Sequence, residues 1–231
     1  MSGIATDEPL ESAGEHSEPG RTAANQGRRR RFTMLRDFTL ADMITLANGC
    51  AGTGVILSAL KFLETGNRNV LWFAMALEPI AMVFDYLDGK VARWRRKHSP
   101  LGAQLDSLAD LISFGVAPAT LAFAVGMRGG WDALVLIYFV SCGLSRLARY
   151  NVTAAAMSDE TGKVKYYEGT PIPTSVLLVA VLAVLFAQGL TGENLPFGSV
   201  EILSFDFHPL VLMFALSGSA MISKTLKVPK P

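Results

Sequence analysis

Two pairs of aspartates in this chain have the spacing of neighbours on one helix face. Asp85 and Asp88 are three residues apart, and Asp106 and Asp110 are four apart, so each pair shares one side of its helix. The short basic segment 94–98 connects the two helices and predicts an antiparallel hairpin that brings the four carboxylates to one level. Four negative charges so close repel one another unless cations hold them together.

The chemistry of these side chains indicates which cation they would bind. All the candidate ligand atoms are oxygens and no cysteine is near them, so the sequence predicts Mg²⁺ or Mn²⁺ rather than Zn²⁺. The alternative is that the aspartates only reach water at helix ends or pair with neighbouring arginines. Four aligned carboxylates on two facing helices favour the metal site.

Small residues and one cation accompany the aspartates. Gly89 and Ala92 follow on the first helix, and Gly102 lies one turn before Asp106. They leave room for a bulky ligand, although they are equally typical of close packing between spans. Arg93 adds a positive charge that can hold a phosphate. Two cations and this arginine describe a site for a pyrophosphate whose bond is to be broken.

The elements that position these residues are predicted to be membrane spans. Of the 231 residues, only 18% are charged, against about 25% in soluble domains. Six apolar segments recur along the chain, each near the ~20 residues that cross a bilayer. They comprise residues 40–61, 69–89, 104–127, 131–150, 172–190 and 208–224. The predicted fold class is an all-α integral membrane protein, a six-span helix bundle with both termini on one side.

The positive charges orient this bundle. The net charge is only +1, yet 18 of the 21 lysines and arginines fall on the side that holds the termini. Lys61, Arg68 and Arg128 are the exceptions. Cytosolic loops carry such an excess, so both termini are predicted to be cytosolic. Cys50 and Cys142 both lie inside apolar segments, which excludes a disulfide-stapled secreted domain.

The N-terminal segment has a different composition. Residues 1–32 contain almost no large apolar side chains and carry the run Arg28–Arg31 near their end. We predict a disordered cytosolic tail there, followed by a membrane domain of residues 33–231. The arginine run could be a nuclear address or a nucleic-acid arm, but contact with anionic membrane lipid is the simpler interpretation. Membrane lipid, and no nucleic acid, is therefore the expected partner.

The aspartates belong to a longer pattern. It reads Asp85-x2-Asp88-Gly89-x2-Ala92-Arg93-x8-Gly102-x3-Asp106-x3-Asp110 and resembles, at every specified position, the signature of the CDP-alcohol phosphotransferase family. The resemblance implies a homodimer with a two-metal site facing the cytosol, and transfer of a phosphoryl-linked group from a CDP-activated donor to an alcohol with release of CMP. It further implies that Asp85, Asp88 and Asp106 hold one cation. Asp85, Asp106 and Asp110 would hold the second.

Three later segments resemble one branch of that family, the phosphatidylserine synthases of the integral-membrane type. These segments are residues 111–118, 146–151 and 167–174. The start of the first span and residues 221–231 look like the fungal members in particular. The sequence departs at Tyr150, where Phe is commoner, and at Thr170, where Leu is commoner. The resemblance implies CDP-diacylglycerol as donor, L-serine as acceptor and the endoplasmic reticulum membrane as location.

Candidates for the acceptor site lie near the end of the fourth segment. Arg146 and Arg149 share a helix face and could bind the serine carboxylate or the donor phosphates, although both could instead extend to the membrane surface. Tyr150 could pack on the serine or belong to an interfacial aromatic belt. Ser113 is assigned to the same serine-binding site. The polar segment 151–170 is expected to form a loop above it.

Two features of the first spans allow more than one interpretation. Thr45 and Asn48, three residues apart, could reach the nucleotide or form hydrogen bonds to another helix. Glu78, which precedes Pro79 in mid-span, has no role in the family pattern and stays unassigned.

Asp110 is the candidate base that takes the proton of the serine hydroxyl. Within the family the acceptor could instead be inositol phosphate or glycerol phosphate. A cation transporter would also need carboxylates, but typically at mid-bilayer, on broken helices from two inverted repeats. Here the aspartates lie near one surface and have no second copy, so the enzyme is the favoured interpretation.

Overall fold

The computed structural model describes residues 40–95, 100–157, 166–223 and 227–229. The predicted tail of residues 1–32 lies outside these ranges, as does much of the basic turn after the second helix. Within them the chain is mostly helical, with helices apolar enough for a bilayer, which confirms the all-α membrane class.

The first two helices form an antiparallel hairpin. Helix α1 (Leu40–Thr65) and helix α2 (Arg68–Arg95) are separated by two residues and pack along their length. Gly66 follows α1 with a φ of 64°, a conformation that glycine adopts without steric cost and that commonly ends helices. The Asn67 side-chain oxygen accepts the Asn69 backbone N–H at 3.0 Å and caps the start of α2.

The third apolar segment is a buried rod built from three pieces. Helix α3 (Pro100–Asp110) continues into a π-helical turn (Leu111–Val116) and then into α4 (Ala117–Val125). In the most apolar 18-residue stretch of this rod 67% of the residues are buried, against 33% or less in the corresponding stretches of the other three long helices. Phe114 and Leu121 on it are fully buried. The rod therefore carries the aspartates at its beginning into the interior of the bundle.

Three further helices complete the bundle. The long helix α5 (Gly130–Met157) packs against α7 (Leu212–Ile222), and α6 (Val176–Ala187) packs against α4 and α2. Gly218 permits the close contact between α5 and α7, because a β-carbon there would lie 3.3 Å from the Phe139 Cα. Small residues at such crossings are typical of helices packed in a membrane.

In the ranges that the structure describes, four short strands form two separate antiparallel pairs. β1 (Tyr166–Glu168) pairs with β4 (Lys227–Pro229). β2 (Val200–Ile202) and β3 (Phe205–Phe207) form a hairpin between α6 and α7. The sequence analysis predicted no strands, because each of these is only three residues long and too short for a periodic pattern.

The helix lengths test the predicted spans. In the described part of the chain, four helices are long and apolar enough to cross a membrane: Leu40–Thr65, Arg68–Val91, Leu101–Val125 and Gly130–Thr153. They coincide with the first four predicted segments. The helices Ile172–Ala187 and Pro209–Ile222 coincide with the fifth and sixth but are shorter, so the count of six spans stays a prediction.

The predicted end of the fourth segment needs a correction. Helix α5 does not stop at residue 150 but continues to Met157, so the expected loop 151–170 is wrong at its beginning. Residues 154–156 are three alanines, which have the highest intrinsic helix propensity. Asn151 also receives a tertiary contact, since its amide donates to the Ser107 hydroxyl at 3.0 Å. Propensity and this contact together extend the helix.

Candidate active site

The predicted aspartates converge where α2 ends and α3 begins. One carboxylate oxygen from each of Asp85, Asp88 and Asp106 lies within 4.8 Å of the other two. The Asp110 side chain lies next to that of Asp85. We call these four residues the aspartate cluster. The structure thus brings all four together, while their roles as metal ligands stay predictions.

The surroundings of the aspartate cluster fit divalent cations. Asp88 and Asp110 are buried, and Asp85 and Asp106 are half-buried. The two ion pairs visible among the described side chains, Lys61 with Glu64 and Asp132 with His208, lie elsewhere in the molecule. Four carboxylates in this setting need compensating positive charge. Adjacent oxygens around an octahedral Mg²⁺ lie about 3 Å apart and opposite ones about 4.2 Å, so three oxygens within 4.8 Å of one another are near enough to converge on one ion.

Helix α1 supports two of the aspartates by hydrogen bonds. The Thr45 hydroxyl donates to Asp88 Oδ2 at 2.7 Å, and the Asn48 amide donates to Asp110 Oδ1 at 3.1 Å. Both donors are buried and lie one turn apart on α1. Of the two interpretations of Thr45 and Asn48, interhelical hydrogen bonding is therefore the one visible in the structure. A contact with the nucleotide stays a prediction.

A second contact between α1 and the third span lies one helical turn after Asp110. The Ser113 hydroxyl donates to the Asn48 carbonyl oxygen at 2.9 Å. Gly52 makes this approach possible, because a β-carbon there would overlap the Ser113 hydroxyl and lie 2.6 Å from the Ser113 Cα. Ser113 is fully buried and holds α1 against the rod. Its predicted contact with serine is a separate role that no feature of this geometry tests.

The π-helical turn begins immediately after Asp110. The N–H of Ala117 bonds to the Ile112 carbonyl, five residues back, so one extra residue is accommodated in the turn. Such turns change the rotational phase of a helix and occur frequently at functional sites. The turn therefore changes the rotation, about the helix axis, of the aspartates before it relative to the packing residues of α4 after it. No feature of the sequence pattern predicted this turn.

Two polar residues connect α3 to α5 beside the aspartate cluster. Ser107, the neighbour of Asp106, exchanges hydrogen bonds with the Asn151 side chain at 3.0 and 3.2 Å. The Asn151 amide also approaches the Gln104 side-chain oxygen at 3.4 Å. The sequence analysis quoted Asn151 in a family-like segment but gave it no role. It named the neighbouring Tyr150 instead, because an aromatic residue near a helix end is easier to recognise in a sequence as a candidate contact than an amide.

Three of the four predicted serine-binding residues lie on the same end of α5. Arg146 is half-buried, whereas Arg149 and Tyr150 are exposed. The two arginines are separated by less than one helical turn, as the spacing predicted. Asn151, next to them, contacts α3, which places this end of α5 beside the start of the third span. Their contact with serine stays a prediction.

The small residues of the signature differ in their surroundings. A β-carbon at Gly89 would meet no atom of the described residues within 4 Å, so these residues leave space beside the aspartate cluster. Gly102 is half-buried on α3. The side chains of Ala92 and Arg93 lie outside the part that the structure describes, and their predicted contacts with the donor stay predictions.

Glu78 lies two helical turns from the aspartate cluster, in the middle of α2. It is fully buried, and neither carboxylate oxygen has a hydrogen-bond partner among the described residues. The Pro79 ring follows it inside the helix. The structure assigns Glu78 no part in the cluster, in agreement with its absence from the family pattern.

With this geometry established, comparison with known proteins gives the family. The family model described as CDP-alcohol phosphatidyltransferase matches residues 38–217. The chain therefore belongs to the CDP-alcohol phosphatidyltransferase family. The matched region contains the aspartate cluster, its supports on α1 and the polar end of α5.

Curated relatives come from fungi, bacteria and archaea. The CDP-diacylglycerol–serine O-phosphatidyltransferase of Saccharomyces cerevisiae is 48% identical over 203 residues, which cover 87% of this chain and 74% of the relative. The enzyme of the same name from Mycobacterium tuberculosis is 34% identical over 153 residues, or 65% of this chain and 51% of the relative. The archaetidylserine synthase of Methanothermobacter thermautotrophicus is 35% identical over 144 residues, covering 61% and 56%. The chain thus spans about half the length of these bacterial and archaeal relatives.

Proposed function

We propose that this protein transfers the phosphatidyl group of CDP-diacylglycerol to the hydroxyl of L-serine and releases CMP. The observation that carries the proposal is the aspartate cluster, in which Asp85, Asp88 and Asp106 converge and Asp110 lies beside them, in a chain of the CDP-alcohol phosphatidyltransferase family. The acceptor follows from the relatives, since those of yeast and mycobacteria are named for transfer to serine. The archaeal relative is also named for a serine lipid.

The four residues of the aspartate cluster have different roles in metal binding. Asp85, Asp88 and Asp106 hold one divalent cation, and Asp85, Asp106 and Asp110 hold the second. When bound, Mg²⁺ or Mn²⁺ supplies positive charge to the pyrophosphate oxygens in the transition state. The Asn48 amide orients Asp110, and the Thr45 hydroxyl orients Asp88. The open space beside Gly89 admits the donor, with Arg93 and Gly102 near its phosphates.

The reaction is a single displacement. Arg146 and Arg149 bind the serine carboxylate, with Tyr150 packed on the amino acid. Asp110 accepts the hydroxyl proton, and the serine oxygen bonds to the lipid-side phosphorus. The phosphorus–oxygen bond to CMP breaks at the same centre, and CMP leaves with the bonding electrons. This order requires sequential kinetics and no covalent phosphatidyl-enzyme.

The membrane arrangement belongs to the same proposal. Six spans place both termini and the aspartate cluster on the cytosolic side of the endoplasmic reticulum membrane, and the enzyme functions as a homodimer. Support comes from the four long helices, the two shorter apolar helices and the one-sided distribution of lysine and arginine. Serine then reaches the site from the cytosol, while the acyl chains of the donor stay in the bilayer.

The decisive experiment follows labelled serine into lipid. The full chain in nanodiscs receives CDP-diacylglycerol, Mn²⁺ or Mg²⁺ and radiolabelled L-serine, and the lipid product and CMP are quantified. We expect equal amounts of both, and an Asp110→Asn variant with greatly reduced activity. If inositol phosphate or glycerol phosphate enters the lipid and serine does not, the acceptor assignment is wrong. If no alcohol promotes metal-dependent CMP release, the assignment of a transferase activity is wrong.

The single displacement has its own test. Donor labelled in the phosphatidyl group is incubated with the enzyme and metal in the absence of serine, and the protein is then denatured and separated. We expect no label on the protein. Label retained on the denatured chain contradicts a direct displacement and indicates a covalent intermediate.

A further inference from the structure

A patch of apolar side chains lies outside the helices, between α6 and α7. The β2–β3 hairpin, residues 200–207, has a tight turn at Leu203 and Ser204, whose φ angles are 51° and 64°. Leu203 at this tip is 80% exposed, and its apolar neighbours Val200, Ile202 and Phe205 are exposed as well. Contiguous exposed apolar patches of this kind mark interaction surfaces.

The hairpin is firmly held by the first turn of α5. The Trp131 indole N–H donates to the Ile202 carbonyl at 2.9 Å. Asp132 accepts the His208 backbone N–H at 2.8 Å, and its second oxygen lies 2.6 Å from the His208 ring Nδ1. That second oxygen also accepts the Gly129 N–H at 2.9 Å. The exposed tip is therefore the end of a fixed element, since both its base and one strand are bonded to a long helix.

Glycines make this close attachment possible. A β-carbon at Gly129 would overlap the Asp206 carbonyl, and one at Gly130 would lie 2.6 Å from the Phe205 ring. The strand thus lies directly beside the start of α5 rather than beyond it. The hairpin shares the depth of that helix end.

The level of the hairpin along the bundle can be measured on α5. Trp131 contacts the hairpin, whereas Asn151, twenty residues later, contacts α3 beside the aspartate cluster. Twenty helical residues span about 30 Å, which equals the thickness of the hydrocarbon core of a bilayer. The hairpin and the aspartate cluster therefore lie at opposite membrane surfaces.

The charges near the hairpin define the kind of surface that it fits. Residues 188–207 contain no lysine or arginine, and Glu193, Glu201 and Asp206 are exposed. The hairpin itself therefore has no positive charge that would attract anionic lipid, although Arg128 beside Gly129 is exposed nearby, and its own contact with a membrane comes from burial of apolar area. Trp131, at the same level, is a residue typical of the interface between headgroups and acyl chains.

We propose that the β2–β3 hairpin inserts its apolar tip into the non-cytosolic leaflet, at the boundary between the headgroups and acyl chains of zwitterionic lipid. The helices beside the hairpin also expose apolar side chains, such as Leu134 near the start of α5 and Leu212 at the start of α7, and the same bilayer covers these and the hairpin tip. Insertion fixes the depth of α5, whose other end carries Arg149 and Tyr150.

Spin-label accessibility tests this placement. Leu203→Cys is introduced into the full chain with Cys50→Ala, labelled with a nitroxide and reconstituted in phosphatidylcholine nanodiscs. We expect a several-fold higher ratio of collisions with oxygen to collisions with a water-soluble nickel chelate than for a label at Glu193→Cys, an exposed position on the same connection. Ser204→Cys, next in the turn, repeats the measurement if the first variant does not fold.

Two outcomes would overturn the proposal. A label at Leu203 that meets the nickel chelate as often as the Glu193 label places the hairpin in water. A label sheltered from both oxygen and nickel places the hairpin against protein, such as a second copy of this chain. Neither result bears on serine transfer, which is measured separately on the same sample.

Discussion

Buried carboxylates occur at both ends of the bundle, but other carboxylates surround them at one end and hydrogen-bond donors surround them at the other. At one end, the four residues of the aspartate cluster lie together, so that their negative charges repel one another. At the other end, Asp132 is fully buried, and its two oxygens meet the His208 N–H, the Gly129 N–H and the His208 ring. A carboxylate with hydrogen-bond partners for both oxygens stabilises the fold, whereas carboxylates that lie close together repel one another and favour a bound cation.

The largest expected effect tests the aspartate cluster. Asp106→Asn should lower transferase activity about 10³-fold, because it removes an oxygen ligand shared by both ions, a loss of about 4 kcal/mol in the transition state. In EDTA the same variant should unfold at a higher temperature than the parent, since one of four repelling charges is gone. Mn²⁺ titration by electron paramagnetic resonance should show fewer bound ions.

The matched control for that variant is Glu64→Gln. Glu64 is exposed, pairs with Lys61 at 2.8 Å and lies at the other end of α1, so activity, Mn²⁺ binding and unfolding in EDTA should be unchanged. A metal-free Asp106→Asn protein that unfolds at a lower temperature than the parent would contradict the contrast between the two ends.

Removal of the Asp132 carboxylate, at the other end of the bundle, should lower the stability of the protein rather than its activity. Asp132→Ala leaves the His208 and Gly129 donors without their acceptor and should destabilise the protein by about 2–4 kcal/mol. Thermal unfolding in detergent measures this loss, while the activity of the folded fraction should persist. Asp206→Ala, an exposed carboxylate on the same hairpin, serves as control and should unfold like the parent. Equal stability of both variants would mean that Asp132 does not hold the hairpin.

The contact beneath the aspartate cluster is tested by adding one methyl group. Gly52→Ala should separate α1 from the Ser113 turn, with a cost of about 1–3 kcal/mol typical of overpacking, and should lower kcat because Asn48 then holds Asp110 less well. Gly49→Ala is the matched control, because its β-carbon would make an ordinary contact of 3.5 Å with Ala109. Similar kinetics for the two variants would show that the close approach at Gly52 does not position the site.

The smallest expected effect concerns a single hydrogen bond. Thr45→Val keeps the shape of the side chain but removes the donor to Asp88, and a loss of about 1 kcal/mol corresponds to an about fivefold lower kcat/KM. Thr53→Val, on the same helix, removes only an exposed bond to the Gly49 carbonyl and should leave kcat/KM unchanged. Steady-state kinetics with varied serine and donor distinguish the two. Rescue by Thr45→Ser would confirm that the hydroxyl is responsible.

Local periodicity explains how much could be predicted. Spacings of three and four residues put Asp85 with Asp88 and Asp106 with Asp110, because a helix has 3.6 residues per turn. The short basic connection then allowed only a hairpin, so the convergence of all four was predictable. The first four spans were predictable for a similar reason, since a bilayer requires about 20 apolar residues. The end of α5 was misplaced because a hydropathy pattern does not detect the polar contact that Asn151 makes with α3.

Contacts between distant residues set the limit of that reasoning. The partners of Thr45 and Asn48 are 43 and 62 residues away, and Asp132 lies 76 residues from His208. No periodic pattern connects such positions, so the sequence analysis left two interpretations open for Thr45 and Asn48 and had no role for Asp132. The π-helical turn is likewise invisible in the pattern, because its extra residue is accommodated by packing against α1.

By itself, then, the sequence determined the membrane class, the position of the main helices, the four aspartates and their family, because each follows from helical spacing or from a specific motif. Only the tertiary structure decided which donors orient Asp88 and Asp110, where α1 touches the third span at Gly52, and that Asp132 fastens the β2–β3 hairpin to α5. These features depend on how the helices pack, and packing is fixed by the shapes of side chains that meet only after the chain has folded.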